Sequence, residues 1–240
     1  MSFRLAFLLC AWLAATPSWA VTTIFSDTFT DTNGVDLDAH TPDTGTSWTE
    51  INLTGANQLG ILSNTLQSET TNSAQGSMWS ADGTYSTANY TVTITCTDCG
   101  AGISSVAWWI GCRLNNTGGW DGYIAAIADA TNTNDARIYR LDNGAATKIS
   151  STEDTGPADS DVFQLECDGS AIGLKKNGSY VIGPINDATY SAAGKGGTGS
   201  GEVFGLTEWG TIAGNFDIDN FVVETIDNSA TFGPLRRRLL

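Results

Sequence analysis

Residues Val106 to Ile127 read VAWWIGCRLNNTGGWDGYIAAI, and the fold class rests on this stretch. Successive strand residues point to opposite faces, so Val106, Trp108, Ile110, Cys112 and Leu114 share one face and Ala107, Trp109, Gly111 and Arg113 the other. Asn115-Asn116-Thr117-Gly118-Gly119 follows, with residues that tolerate positive φ and let the chain reverse into Trp120 to Ile127. The pattern predicts a central β-hairpin. Its aliphatic face suits a core and its Trp/Arg face is left for a ligand, as in one sheet of a sandwich.

Outward from the hairpin the chain is rich in Thr, Ser, Asn, Asp and Gly, with short apolar runs between turn signals and almost no window of helical period. This composition predicts an all-β protein. Strands are expected over 24–29, 58–63, 90–95, 106–114, 122–127, 136–141, 162–167, 171–176 and 216–224. Asp168-Gly169 and Asn177-Gly178 are tight-turn signals. The run SAAGKGGTGSG from Ser191 to Gly201 reads as a flexible loop, too rich in glycine to pack by itself.

Residues 1–20 carry Arg4, an apolar run from Leu5 to Ala15 and a small-x-small end at Ser18-Trp19-Ala20, the signature of a secretory signal peptide. The run is shorter than the about 20 residues needed to span a bilayer, and no later segment approaches that length. The expected organisation is a signal peptide (1–20), one β-sandwich domain (21–227) and a basic tail (228–240) ending in Arg236-Arg237-Arg238. Cleavage removes Arg4 and no acidic residue, leaving 10 basic against 26 acidic residues, a net charge of about −16. Such a surface repels phosphate backbones, so nucleic acid is excluded as a partner.

Export permits disulfides. Cys112 shares strand parity with Ile110 and Leu114, and Cys167 with Phe163 and Leu165, so both face the core and are the expected long-range pair. Cys96 and Cys99 would then close a small loop of their own. Free core thiols and metal or redox use are the alternatives, the metal reading weakened by the lack of a second ligand pair.

Three segments resemble the concanavalin A-like lectin/glucanase superfamily, in particular its laminin-G-like secreted and phage-associated members. Phe25 to Phe29 (FSDTF), Thr32 to Leu37 (TNGVDL) and Gly45 to Trp48 are similar to its first strand and loop. The hairpin around Arg113 and Gly122-Tyr123 resembles its central strands, and Asp217 to Phe221 (DIDNF) its closing strand. The resemblance implies a jelly-roll β-sandwich of two curved antiparallel sheets, first and last strands adjacent, with sugar bound on a concave sheet in many relatives. It also implies a structural Ca²⁺ held by Asp27 and Asp219, oxygen ligands suited to that ion; the alternative is that these aspartates cap turn amides.

Enzymatic relatives place two glutamates on one strand, as a retaining mechanism with carboxyls about 5–5.5 Å apart requires. Here the nearest same-parity pair, Glu202 and Glu208, would stand roughly 20 Å apart on an extended strand. Asp217 and Asp219 share a face but occupy the structural closing motif. His40, the single histidine, sits in turn-rich DAHTP and reads as a surface residue. A binding surface remains. Trp48, Trp79 and Trp108 are assigned to the core; Trp109, Trp120 and Tyr123, beside Arg113 and Asp121, form the candidate ligand site, with aromatic rings for sugar faces and a guanidinium fork for hydroxyls. The sequence thus reads as a secreted, non-catalytic, lectin-like module for a glycan or cell-surface polysaccharide, with homo-oligomerisation left open. A structural or assembly subunit of an extracellular or virion surface is the alternative, and a glycoside hydrolase with an atypical catalytic set a further one.

Overall fold

The computed structural model describes residues 21–51, 59–68, 77–99, 106–116, 120–129, 135–151, 153–154, 156–200 and 217–226. Every element among them is a strand. One sheet contains β1 (Thr23–Asp27), β2 (Val35–Asp36), β4 (Leu59–Leu62), β5 (Thr65–Ser68), β7 (Tyr90–Asp98), β13 (Val162–Asp168), β14 (Ala171–Lys176), β15 (Ser179–Asn186) and β17 (Asp217–Thr225). Its order is β15-β14-β13-β7-β17-β5-β4-β2, with β1 also on β17. The other contains β3 (Ser47–Glu50), β6 (Ser77–Asp82), β8 (Val106–Asn116), β9 (Trp120–Asp129), β10 (Asp135–Asp142), β11 (Ala145–Lys148), β12 (Glu153–Asp154) and β16 (Lys195–Ser200). Its order is β11-β10-β9-β8-β16-β6-β3, with β12 on β10. All pairings are antiparallel, the first and last strands are neighbours, and the two sheets form a jelly-roll sandwich.

The expected hairpin is β8–β9, with Trp108 opposite Ile127, Ile110 opposite Ala125 and Cys112 opposite Tyr123. These residues join Trp48, Trp79, Val92, Ile94, Phe163, Leu165 and Phe221 in the core between the sheets. Cys112 of β8 is bonded to Cys167 of β13, so the disulfide ties one sheet to the other across the core. Cys96 and Cys99, expected to pair, are instead free and buried. The Cys99 thiol is raised by burial and by Cys96 beside it, which keeps it in the unreactive protonated form.

Two further expectations are corrected. The alternation of β8 breaks at a bulge: between Cys112 and Asn115 two residues face Gly122 alone, and Arg113 takes φ 55°. Leu114 therefore leaves the face of Cys112 and packs with Trp109 in a second cluster on the far side of the sheet, with Ile51, Met78, Trp120, Ile124, Ala126, Tyr139 and Leu141. The glycine run is not a loop. Lys195–Ser200 is β16, inserted between β6 and β8. A Cβ on Gly197 would lie 2.5 Å from the Trp79 carbonyl oxygen and 2.8 Å from Leu114 Cδ1, and one on Gly196 2.9 Å from Val223 Cγ2. The glycines are what let this strand fit between two tryptophan-bearing neighbours. Thr198 locks it in register, accepting the Trp108 indole N–H at 2.6 Å and donating to the Trp109 carbonyl at 3.0 Å.

His40, expected at the surface, is 6 % exposed. Its Nε2 lies 2.9 Å from Asp27 Oδ1 and its Nδ1 2.9 Å from Asp31 Oδ2, so the protonated ring donates to both carboxylates. Asp27 also accepts the Phe29 amide at 2.7 Å and the Trp48 indole N–H at 2.6 Å, which pins β1 to the following loop and to β3. Burial opposes the imidazolium, but the bonds to Asp31 and Asp27 outweigh it and raise the His40 pKa; His40 in turn lowers that of Asp31.

Both faces of β8 are covered, so Trp108→Ala and Trp109→Ala should each cost about 3–5 kcal/mol in chemical denaturation, with neither silent. The Cys112→Ser/Cys167→Ser double variant should lose about 2–5 kcal/mol, and thiol titration of unfolded, unreduced protein should find the thiols of Cys96 and Cys99. The His40 pKa is raised above its unfolded value of about 6.5, so its contribution to stability is complete below that pH and is lost as pH rises through the folded pKa. The melting temperature should fall between pH 6 and pH 9, and His40→Gln should flatten that part of the curve.

Candidate functional site

The structure divides the residues expected to bind ligand. Trp109 (1 % exposed) and Trp120 (8 %) belong to the second cluster and present no open ring face. A sheet face turned from the core is often wet, but this one is apolar and covered.

Arg113 is 2 % exposed and acts as a staple. Nε donates to the Ala88 carbonyl at 2.9 Å and Nη1 to the Tyr190 carbonyl at 2.8 Å, joining the loop before β7 to the one before β16. Its backbone N–H donates to the Tyr90 hydroxyl, which donates to the Gly194 carbonyl at 2.6 Å. A Cβ on Gly122 or Gly194 would come within 2.8 or 2.5 Å of the Arg113 backbone, so both positions require glycine.

Asp121 and Tyr123 meet at the β9–β10 end of the sheet, in a polar cluster closed by the loop after β15. Asp187 Oδ1 accepts the Tyr123 hydroxyl and the Thr189 amide, both at 2.9 Å, and Oδ2 accepts Arg140 Nη1 at 2.8 Å. Arg140 Nε donates to Asp142 Oδ2 at 2.8 Å. The Tyr190 hydroxyl lies 3.0 Å from Asp121 Oδ1 and 2.8 Å from Asp142 Oδ1, sharing one proton between two carboxylates. Asp121 Oδ1 also accepts the Asn143 amide at 2.8 Å.

Burial tends to raise the Asp187 carboxyl, but donors from Thr189, Tyr123 and Arg140 bring it down to about 2. Burial, followed by Asp187, pushes Tyr123 up to about 12. The rim thus offers fixed carboxylates and a guanidinium that is about a quarter exposed, its side chain at 26 %, beside Asp142 at 36 %. Such a set exchanges hydrogen bonds with vicinal hydroxyls.

Sequence reading had not found Arg140, Asp142, Asp187, Thr189 or Tyr190. The one local signal was turn chemistry, in the Asp142-Asn143-Gly144 tip and the Asp187–Thr189 Asx turn; the fold alone brings the two together.

The carboxylates considered for metal or catalysis have other duties. Both Asp27 oxygens are taken by protein donors, one of them the His40 ring, so this residue does not fit as a calcium ligand. Asp219 accepts its neighbour Asn220 through backbone and side chain, at 2.7 and 2.9 Å. Among the described residues no group of three or more His, Cys, Asp or Glu is arranged to hold a metal ion. Asp217, pushed to about 6 by burial and by Asp98, accepts Gln67 Nε2 at 2.7 Å, whereas Asp219 is raised by burial and the charges of Asp27 and Asp43. The two carboxylates answer to different neighbours. Glu202, Glu208, Trp209 and Arg236 to Arg238 lie outside the described residues.

No protein-family model matches the chain, and no curated protein matches it in sequence. Solved structures do. The exoplasmic/lumenal domain of VIP36 in its Ca²⁺/Man-bound form aligns with TM-score 0.56 and 7 % identity over 81 % of this chain and 87 % of its own. The carbohydrate recognition domain of Emp47p aligns with TM-score 0.55 and 10 % identity over 85 % and 96 %. That of Emp46p, in a potassium-bound form, aligns with TM-score 0.51 and 12 % identity over 75 % and 88 %. At these identities the likeness concerns architecture: the chain has the concanavalin A-like jelly-roll fold.

Proposed function

We propose that the protein is an exported, non-catalytic glycan-binding module whose ligand site is the rim formed by Asp121, Arg140, Asp142 and Tyr190. In this reading residues 1–20 are removed as a signal peptide, 21–227 form the binding domain and 228–240 a basic tail. The observation that carries it is the Arg140 side chain, about a quarter exposed and held by Asp142 and Asp187. Arginine and carboxylates fixed in this way supply planar donors and acceptors without the entropy cost of ordering them on binding. The carbohydrate recognition domains of Emp46p and Emp47p and the mannose-bound VIP36 domain among the fold neighbours support the ligand class. The core disulfide supports an oxidising destination. Trp109, Arg113, Trp120 and Tyr123 serve this site as its frame: they hold the sheet end and the 187–190 loop in place and do not touch the sugar.

A glycan array on the protein lacking residues 1–20 tests the proposal. Arg140→Lys keeps the charge but loses the fork, and together with Asp142→Ala it should abolish specific array signals while the melting temperature stays within a few degrees of wild type. An array with no specific signal, or one indifferent to both substitutions, would exclude the rim as a glycan site.

A further inference from the structure

The start of β17 holds a pair of carboxylates that the rim does not use. Asp217 stands directly opposite Asp98 of β7, and the register then shifts, with Ile218 opposite Cys96 and Thr97 left over as the extra residue of a bulge. Like charges directly opposite each other on neighbouring strands repel. Here one of the two is also largely removed from water, Asp217 being 8 % exposed.

The two oxygens of Asp217 differ. Oδ2 accepts Gln67 Nε2 at 2.7 Å and lies 3.5 Å from Thr65 Oγ1, both on β5. Oδ1 is buried and has no hydrogen-bond partner. A buried carboxylate oxygen left without a donor is costly and calls for an explanation. Asp98 makes no hydrogen bond among the described residues.

No basic group offsets these charges. The one charge acting on Asp217 is that of Asp98. Asp159, in the loop before β13, brings a third carboxylate to the end of β7, where its Oδ1 accepts the Cys99 amide at 2.9 Å. Lys176 of β14 is paired with Asp161. A bridging water would satisfy Asp217 Oδ1 but leave the repulsion, whereas a cation relieves both. Carboxylate and hydroxyl oxygens are hard ligands of the kind calcium accepts in loose geometry and completes with water, while magnesium demands a near-ideal octahedron.

We propose that Asp98 and Asp217, with the Thr65 hydroxyl, form a calcium site between β7 and β17 that clamps the last strand where it enters its sheet. With two carboxylates the site is open and weak. The test is titration calorimetry and thermal unfolding of EDTA-stripped protein lacking residues 1–20. Calcium should bind with a dissociation constant of about 10⁻⁴–10⁻³ M and raise the melting temperature by a few degrees. Asp217→Asn and Asp98→Asn should each abolish that rise and, with the repulsion gone, melt no lower than the wild type in the absence of calcium. Asp219→Asn and Asp142→Ala should leave the calcium response unchanged. The proposal is overturned if calcium has no effect, or if KCl at equal ionic strength reproduces it, which would be screening alone. It is equally overturned if either Asp217→Asn or Asp98→Asn keeps the response, or if Asp219→Asn or Asp142→Ala loses it.

Discussion

The Tyr90 hydroxyl is the point on which the binding end of this molecule depends. Buried between the sheets, it takes the Arg113 amide and gives its proton to Gly194, fixing an arginine in left-handed backbone geometry that costs a non-glycine residue on the order of 1 kcal/mol or more. The bulge reassigns the residues after it: Leu114 turns to the second cluster, and the Arg113 side chain is aimed at two loop carbonyls. One of these belongs to Tyr190, whose own hydroxyl reaches the rim carboxylates. A strained backbone position buried in the sandwich thus sets the position of a loop at its edge.

That bulge also marks where sequence reading stops. The period-2 pattern of β8 up to Cys112, the partner strand β9, the Cys112–Cys167 pair and the adjacency of first and last strands were all legible, because each follows from local alternation or from a whole-chain resemblance. The face of Leu114 was not: a bulge is a two-against-one mismatch with a partner strand, and nothing in Cys112-Arg113-Leu114 alone announces it. The glycines of β16 misled for a related reason. Glycine in isolation signals freedom, but here it signals crowding by Trp79 and Leu114, visible only once β6 and β8 are placed on either side.

The candidate site shows the same division. Asp121 was found because it adjoins the hairpin, whereas Arg140, Asp187 and Tyr190 come from another strand and a loop some fifty residues on, so only the topology assembles them. His40 was misplaced because a turn-like sequence says nothing about its two carboxylate partners. Asp27, expected to face a metal ion, has its oxygens turned to an amide, an indole and an imidazole. The misplacement of His40 came from reading a residue without the groups that surround it.

The topology has a consequence for how the chain is made. β17 is the last strand in sequence, yet it lies inside its sheet, flanked by β7 on one side and by β1 and β5 on the other. A chain emerging from its N-terminus holds those strands with a gap between them until residues 217–225 arrive. Through that interval two hydrogen-bonding edges stand open to any passing extended segment. Truncation before residue 217 would leave that gap permanently open.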